Sequence, residues 1–283
     1  MKTLTLSYHL SERFSLITPE LSTLTCEGVD SELLFSLPRV AIVGSRKATP
    51  YGIRVTENLA SELAKQGVVI VSGLAYGIDI TAHKATLSVG GRTIAVLPSG
   101  ISRIYPVAHT KIAQKISESG MLVSEYPAEH HPRKIEFLER NRLIAGLSDL
   151  VVVTEAAEHS GSLNTVQHAM KMNIPVAAVP GPITSLYSAG TNALIKEGAH
   201  LITSAQDILA LLNIDTQSTL TKTREVSDPE ILALIDLLAR TPLETTAIAL
   251  ELGIDTKKLL NHLTMLELSG DVEQNAIGIW QLR

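Results

Sequence analysis

Gly44, Ser45 and Arg46 are the first group of residues whose types suggest chemistry. They follow the short apolar run 40–43, a predicted strand, and Gly44 allows a sharp turn there. A helix is predicted over residues 51–66, with Thr49 as its N-cap. A guanidinium forks onto phosphate oxygens, and a helix N-terminus adds partial positive charge. The Ser45 hydroxyl and outward backbone N–H groups would add donors, so this turn predicts a phosphate site.

The same turn lacks the glycine pattern of a dinucleotide site. A G-x-G-x-x-G motif would place glycines immediately after the strand, but Ser45, Arg46 and Lys47 follow Gly44, and the next glycine is Gly52. The turn therefore disfavours an ordinary NAD site, and we predict no cofactor.

A second group combines cations with an aromatic ring. Lys134, Phe137 and Arg140 are spaced three residues apart, and Arg140, Asn141 and Arg142 form one continuous segment. Bases of an unpaired strand stack on aromatic rings while adjacent cations pair with phosphates. The same residues also fit solvent-exposed surface charge around a core phenylalanine, and the pattern alone does not decide between the two interpretations.

Other glycine and serine loops follow the predicted strands and would lie at the same sheet edge. They are 72–77, 98–100 and Ser160, Gly161 and Ser162. Any one of these loops is equally well explained by the positive φ that strand-to-helix turns require. Their number at one edge favours an extended phosphate-binding surface.

Catalytic and metal sites have little support in the sequence. Ser72, Asp79 and His83 could suggest a hydrolytic triad, but no G-x-S-x-G elbow is present, and Asp79 and His83 also fit an i, i+4 helix pair. The loop histidines at 130, 131 and 159 lack the spacing of metal ligands. We therefore predict no catalytic residue and no metal.

Composition limits the class of protein. The 283 residues are 45% hydrophobic and 4% aromatic, which is ordinary for a water-soluble α/β protein. Cys26 is the single cysteine, so an internal disulfide is impossible and a reducing compartment is expected. No run of about 18 apolar residues occurs and the start lacks a long apolar segment, which predicts a cytoplasmic protein without a membrane partner.

Charge is distributed unevenly along the chain. The overall net charge is −5, with −3 in residues 1–36, +4 in residues 37–224 and −6 in residues 225–283. Only the middle segment thus has a net positive charge. A nucleic-acid partner that binds there is compatible with the acidic total of the chain.

Seven predicted strands alternate with helices between residues 39 and 212. This alternation predicts an α/β fold with an extended Rossmann-like, doubly wound, mostly parallel sheet. We assign residues 37–212 to this domain, residues 1–36 to an irregular N-terminal arm or cap, and residues 213–227 to a polar linker.

Residues 228–283 predict a small winged-helix-like domain, because three helices precede two short strands. Its last helix, predicted over 256–269, offers only Lys257, Lys258 and His262 as possible cations. A DNA-reading helix is usually more basic, so this domain is more typical of a protein-contact module.

Ordered motifs in the middle of the chain resemble one family. The segments are VAIVGSRKATPYG, VSGLAYGIDITAH, GGRTIAVLPSGISRIYP, LVSEYP, FLERNRLIAGLS, SGSLNTVQHA, AAVPG and GTNALIKEGA. They resemble the DNA processing protein A (DprA/Smf) family over roughly residues 38–209.

The resemblance implies a cytoplasmic, non-enzymatic single-stranded-DNA-binding protein of natural transformation (competence) and DNA recombination. Such a protein protects incoming DNA, loads the RecA recombinase on it and forms homodimers. The positions that match DNA contacts in the family are Gly44, Ser45, Arg46, Lys134, Phe137, Arg140, Asn141, Arg142, Ser160, Gly161 and Ser162.

Departures from the family pattern affect the loop after Tyr105 and Pro106. Val107 replaces a basic or polar residue there, His109 replaces an asparagine, and Arg103 could compensate as a DNA contact. The dimer interface is predicted around residues 183–195, where Leu186, Leu194 and Ile195 could pack on a second copy.

The alternative function is a nucleotide-processing enzyme on the same fold, similar to a nucleoside-monophosphate glycosidase. Such enzymes carry a PGGxGTxxE motif. The corresponding loop, residues 160–165, has neither the double glycine nor a glutamate after Thr165, which disfavours the enzyme.

Overall fold

The computed structural model describes residues 2–5, 14–16, 21, 23–214, 229–269, 272–275 and 278–282. The chain divides into two compact units, residues 1–216 and 217–283. Most of the predicted linker, from residue 215 onward, lies outside the described residues.

A nine-stranded sheet forms the first unit, in the order β1-β2-β6-β5-β4-β3-β7-β8-β9. Strands β3 to β9 are parallel to their neighbours, whereas β1 and β2 are antiparallel. The strands are β1 (Lys2–Thr5), β2 (Thr23–Gly28), β3 (Arg39–Gly44), β4 (Val69–Ser72), β5 (Thr93–Val96), β6 (Met121–Ser124), β7 (Leu150–Glu155), β8 (Val176–Ala178) and β9 (His200–Leu201). The seven parallel strands and the doubly wound fold class are confirmed.

Both faces of the parallel sheet are covered, which explains the continuous apolar runs of its strands. In β3, Ala41 and Val43 face one buried cluster, and Val40 and Ile42 face another. The helices that cover these faces are α1 (Ser31–Ser36), α2 (Pro50–Lys65), α3 (Ile78–Ser88), α4 (Thr110–Ser119), α5 (Glu136–Glu139), α6 (Asn141–Gly146), α7 (Ser162–Lys171), α8 (Ala189–Lys196) and α9 (Ala205–Leu211).

Helix α2 begins as its sequence predicts. The Thr49 side chain accepts a hydrogen bond from the Gly52 N–H, and Pro50 is the first helical residue. The cap satisfies one of the backbone donors that a helix start leaves without an intrahelical partner. This fixed start places the loop between β3 and α2.

Part of the predicted irregular arm belongs to the sheet instead. Strand β2 pairs antiparallel with β6, with Cys26 opposite Val123. Within β2, Leu24 and Cys26 are buried, whereas Thr25 is half-buried and Glu27 is exposed, so one face of this strand packs on the core. The alternation spans too few residues to stand out among the surrounding serines and threonines, which is why we predicted no strand here.

Residues 136–146 form two short helices rather than one. Helix α5 ends at Glu139 and α6 begins at Asn141, with Arg140 between them. Arg140 keeps helical backbone angles at this junction, and its side chain is buried.

The second unit contains helices α10 (Pro229–Arg240), α11 (Thr245–Leu252) and α12 (Thr256–Ser269). Strands β10 (Leu243–Glu244), β11 (Val272–Gln274) and β12 (Ile279–Leu282) form an antiparallel sheet. Trp280 is buried, and its indole N–H donates to the Thr245 hydroxyl at 3.0 Å. The predicted three helices and two terminal strands are confirmed, and β10, immediately before α11, adds a third strand to their sheet.

Candidate nucleic-acid interface

The loops that follow β3 to β7 meet at one edge of the sheet, because these strands are parallel. Open α/β sheets bind their ligands at this carboxyl edge. Here the edge carries Arg46 after β3, Tyr76 after β4, Tyr105 after β5 and Phe137 after β6.

Arg46, Phe137 and Tyr105 form a compact surface cluster. The guanidinium carbon of Arg46 lies 5.4 Å from the centroid of the Phe137 ring. The Tyr105 ring meets Phe137 edge-on, with ring centroids 5.2 Å apart and planes 78° apart. Arg46 and Tyr105 are exposed and Phe137 is half-buried, so a cation and two rings face solvent together. This arrangement offers a charge for phosphate and aromatic surface for a base.

In the Gly44–Arg46 turn, the Ser45 backbone N–H forms a hydrogen bond inside the protein, whereas we expected outward N–H donors. The Ser45 N–H donates to the Glu155 carbonyl oxygen at 2.7 Å, and the buried Ser45 hydroxyl accepts from the Lys47 N–H at 3.1 Å. A Cβ on Gly44 would lie 2.7 Å from the same carbonyl oxygen. Gly44 and Ser45 therefore position Arg46, whose side chain is the group that reaches solvent.

Arg140 differs from the surface cation that its spacing suggested. Its side chain is only 2% exposed and donates to the carbonyl oxygens of Gly73 and Val96, at the ends of β4 and β5. The buried Asp79 carboxylate accepts from the Gly73 N–H at 3.2 Å. Burial lowers the pKa of Arg140 to about 10, an effect that Asp79 opposes, so the guanidinium stays charged at neutral pH. Arg140 thus ties together the loops beneath the site.

Arg142 is also inside the protein. It forms an ion pair with Glu125, the residue after β6, and is fully buried. Burial raises the pKa of Glu125, and the Arg142 charge counteracts this increase. The surface-charge interpretation is therefore wrong for both arginines of the segment, because both side chains are buried and have partners inside the protein.

Asn141 connects this segment to the serine loop. Its side-chain amide donates to the Gly161 carbonyl oxygen and to Asn164 Oδ1, each at 3.3 Å. The hydroxyl oxygens of Ser160 and Ser162 lie 2.8 Å apart at the start of α7. Gly161 is exposed, and a Cβ there would meet no atom within 4 Å. Asn141 thus links the segment that contains Arg140 and Arg142 to the predicted serine loop at residues 160–162.

Lys134 and Arg103 lie on the loops that flank Phe137. Lys134 is exposed. Arg103 Nε forms an ion pair with Glu129 Oε2 at 2.9 Å, so part of its charge is neutralised. Lys134 and Arg46 are therefore better placed than Arg103 to attract a phosphate.

The suspected triad does not assemble. The Ser72 hydroxyl donates to the Ile42 carbonyl oxygen, His83 Nδ1 lies 2.7 Å from the Thr93 hydroxyl, and Asp79 accepts from Gly73. Burial lowers the pKa of His83 to about 3, which leaves the imidazole neutral. The Asp79–His83 helix pair is not formed through a direct hydrogen bond either.

Among the residues that the structure describes, no three histidine, cysteine or acidic side chains lie close enough together to hold a metal ion. Nor does the described part of the chain include a helix that is both long and apolar enough to span a membrane.

Tyr105 is the residue that our reasoning from sequence left out of the site. Its signal was present in the IYP motif at the start of a loop after β5, but the sequence does not show which ring it meets. Only the fold brings this loop to Phe137.

Comparison with family models decides the family of the chain. The model for DNA recombination-mediator protein A matches residues 11–213, and that for the DprA winged helix domain matches residues 218–276. The chain belongs to the DNA recombination-mediator protein A family. The resemblance inferred from the ordered motifs is thereby confirmed, as is the winged-helix assignment of the second unit.

Curated relatives in this family are called DNA processing protein DprA or protein Smf. The Bacillus subtilis protein is 42% identical over 179 residues, which are 63% of this chain and 60% of that protein. The Streptococcus pneumoniae protein is 45% identical over 177 residues, which are 62% of each chain. The Escherichia coli protein Smf is 46% identical over 172 residues, or 60% of this chain and 46% of that protein. The chain thus spans about half the length of the curated relatives it matches.

Two solved structures have the same fold. The DNA processing protein A of Streptococcus pneumoniae is 39% identical, with a TM-score of 0.68 over 74% of this chain and 73% of that chain. The Helicobacter pylori protein is 37% identical, with a TM-score of 0.66 over 75% of this chain and 96% of that chain. The latter structure was described for its single-stranded DNA binding mode.

Proposed function

We propose that this chain binds single-stranded DNA at the carboxyl edge of its sheet. The observation that carries the proposal is the contact between exposed Arg46 and half-buried Phe137, with the guanidinium carbon 5.4 Å from the centroid of the aromatic ring. The guanidinium pairs with a phosphate, and the rings stack with unpaired bases, which a duplex keeps inside its stack. Lys134, three residues before Phe137 in the chain, adds a second exposed cation. The Helicobacter pylori relative, described as binding single-stranded DNA, supports this assignment.

Each remaining predicted contact has a defined role in this proposal. Asn141, Ser160, Gly161 and Ser162 form the side of the site at the start of α7, where hydroxyl and amide groups contact the strand. Gly44 and Ser45 position Arg46. Arg140 and Arg142 hold the loops in place from below, and Arg103 contributes through its exposed edge.

Filter binding with single-stranded and duplex oligonucleotides of equal length, at matched salt, tests the proposal. We expect tighter binding to the single strand, little sequence preference, and a salt dependence of about 0.7 released counterions per neutralised phosphate. Equal affinity for both forms would contradict it. The same incubation checks a second expectation, that the oligonucleotide and added nucleoside monophosphates are recovered intact, because the proposed protein is not an enzyme.

In the cell, we propose a cytoplasmic protein of natural transformation that protects incoming DNA and loads RecA on it. Family membership supports this role, and the assay is the rate of RecA filament formation on single strands covered by a single-strand-binding protein. The parent chain should accelerate filament formation, and Arg46→Ala should not. An unchanged rate with the parent would refute RecA loading while leaving the DNA-binding proposal standing.

We also propose that the chain forms a homodimer through the surface around residues 183–195. Ile183 is 95% exposed and Leu186 is 80% exposed, which is unusual for side chains of this size without a partner surface. Leu194, which we had included in this surface, is 8% exposed and packs in the core. Light scattering at micromolar concentration should give a dimer mass for the parent and a monomer mass for the double substitution Ile183→Asp and Leu186→Asp.

A further inference from the structure

Residues 105–109 connect two aromatic contacts at the carboxyl edge of the sheet. At one end, Tyr105 meets Phe137 edge-on, with centroids 5.2 Å apart. At the other end, His109 meets the Tyr76 ring edge-on, with centroids 4.8 Å apart and planes 68° apart. A single short segment therefore joins the rings of three different loops.

The loop that carries Tyr76 is fixed in place by internal contacts. Leu74 adopts a left-handed conformation with φ 58°, and its carbonyl oxygen accepts a hydrogen bond from His109 Nδ1 at 2.7 Å. The Ile78 N–H donates to the Ser45 carbonyl oxygen at 3.1 Å, which links the loop to the turn that carries Arg46. Left-handed backbone at a non-glycine residue is strained, and it persists where the surroundings hold it. Tyr76 is thus displayed on a preformed loop rather than on a loose one.

The two tyrosine rings and Val107 are exposed to solvent, whereas neighbouring apolar side chains are buried in the core. Tyr76 is 52% exposed, Tyr105 is 47% exposed, and Val107 between the two contacts is 76% exposed. Leu74, one of the residues beneath them, is fully buried. Apolar surface that remains exposed on a fixed scaffold next to a binding site is typical of a ligand-contacting surface.

We propose that Tyr105 and Tyr76 are further base-stacking residues, so that the strand continues from Phe137 along residues 105–109 to Tyr76. This inference rests on the proposed binding of single-stranded DNA and assigns the bases beyond the one at Phe137. Val107 fits the role, because an apolar side chain contacts bases or sugars without requiring a phosphate. Arg46 remains the main phosphate contact at the Phe137 end.

An extended stacking surface predicts how binding depends on oligonucleotide length and on salt concentration. Stacking on an aromatic ring contributes about 1–3 kcal/mol per base, so loss of either ring should weaken binding by about 5- to 150-fold. Short oligonucleotides that reach only Phe137 should lose nothing when Tyr76 is removed. Because the tyrosines carry no charge, their removal should leave the salt dependence of binding unchanged.

Fluorescence anisotropy with labelled oligo(dT) of increasing length tests this inference. Tyr105→Ala and Tyr76→Ala should bind long oligonucleotides more weakly than the parent, with the melting temperature and the salt dependence preserved. Tyr105→Phe and Tyr76→Phe retain the rings and should bind like the parent. Leu33→Ala, which removes an exposed side chain on α1, is the control and should bind like the parent.

An oligonucleotide with abasic sites gives a second readout, which changes the bases of the ligand as well as the rings of the protein. Removing bases should weaken binding to the parent, and the same change should have less effect on Tyr105→Ala. If the alanine variants bind long oligonucleotides as tightly as the parent, or if the phenylalanine variants lose as much as alanine, the inference fails while the Arg46 site remains. If the parent binds no single-stranded DNA, the proposed function itself fails, and the inference with it.

Discussion

Arg46 follows β3 and Phe137 lies on α5 after β6, yet the guanidinium carbon of Arg46 is 5.4 Å from the centroid of the Phe137 ring. Such a contact at an exposed site is worth about 0.5–1 kcal/mol, which is enough to orient a long side chain. A guanidinium held beside the ring keeps donors for a phosphate next to a stacking surface for the attached base. The two residues therefore act as one unit.

Replacing Arg46 tests the phosphate contact. Arg46→Ala should lose a forked, charge-assisted contact and weaken single-stranded DNA binding by about 1.5–3 kcal/mol, with a smaller dependence on salt. Arg46→Lys should keep the salt dependence but recover only part of the affinity, since an ammonium group lacks the fork. Anisotropy titrations at several salt concentrations measure both quantities.

Lys257→Ala, on the acidic second unit, is the matched charge control and should change binding little. Thermal melts of the variants provide the folding control, and we expect no change because Arg46 is exposed. A folded Arg46→Ala protein that binds single strands as tightly as the parent would rule out the phosphate site.

A double-mutant cycle tests whether the two residues act together. Phe137→Ala alone should cost about 1–3 kcal/mol of binding if a base stacks on the ring. The double variant should lose about 0.5–1 kcal/mol less than the two single losses combined, because each single change also disturbs the partner. Strictly additive losses would show that the ring and the guanidinium bind independently. Phe137 is half-buried, so the melting temperature of each variant is measured alongside.

The parallel sheet was predictable from sequence because its signals are local. The apolar run of β3, the turn at Gly44 and the Thr49 cap each act within a few residues, and both the strand and the helix formed as predicted. The edge strand β2 was missed because its one-sided alternation is short and its partner, β6, is distant in sequence.

The orientation of charged side chains was much less predictable. Arg46 and Arg140 both follow the pattern of a cation beside a loop, yet one is exposed and the other is buried. Arg140 is buried because it has partners that are distant in sequence, namely the carbonyl oxygens of Gly73 and Val96 and the carboxyl group of Asp79. Spacing along the chain contains no information about such partners.

Arg140→Ala should mainly affect stability. The substitution removes the guanidinium charge that favours the ionised form of the buried Asp79 carboxyl group, and it breaks the hydrogen bonds to the carbonyl oxygens of Gly73 and Val96. We therefore expect a loss of about 3–5 kcal/mol in the free energy of unfolding. Urea denaturation measures this loss. Combining Arg140→Met with Asp79→Asn should cost less than Arg140→Ala alone, because neither charge is then left behind. A variant as stable as the parent that fails to bind DNA would instead place Arg140 in the interface.

Cys26 reports whether strand β2 stays docked on the sheet. Burial raises the pKa of its thiol to about 12, far above the ordinary value of about 8.5. At pH 8 the thiolate fraction is then roughly one in ten thousand, so a thiol reagent should react very slowly with the native protein. Reaction in denaturant should be fast, and Cys26→Ser should show none. Equal rates in native and denatured protein would indicate that β2 is not packed against β6.

Glu136, the first residue of α5, fastens the loop that carries Lys134 and leads into Phe137. The Glu136 carboxylate accepts from the Arg133 N–H at 2.6 Å and lies 2.9 Å from His130 Nε2. Burial raises the pKa of Glu136, but the Arg133 N–H, the His130 ring and the Arg133 guanidinium together lower it more, so the net pKa lies below its usual range.

A lowered carboxyl pKa in the folded state stabilises the protein above the ordinary pKa of about 4.3 and loses that effect as pH falls through the lowered value. Glu136→Gln cannot titrate, so its melting temperature should be lower than that of the parent at pH 7 and should fall less steeply below about pH 4.5. Glu118→Gln, at an exposed position on α4, should follow the parent. Because Phe137 directly follows Glu136, Glu136→Gln should also shift the Phe137 ring and weaken single-stranded DNA binding at pH 7 by about fivefold, or ~1 kcal/mol. Parallel melting curves for the parent and Glu136→Gln across this range would show that Glu136 does not fasten the loop.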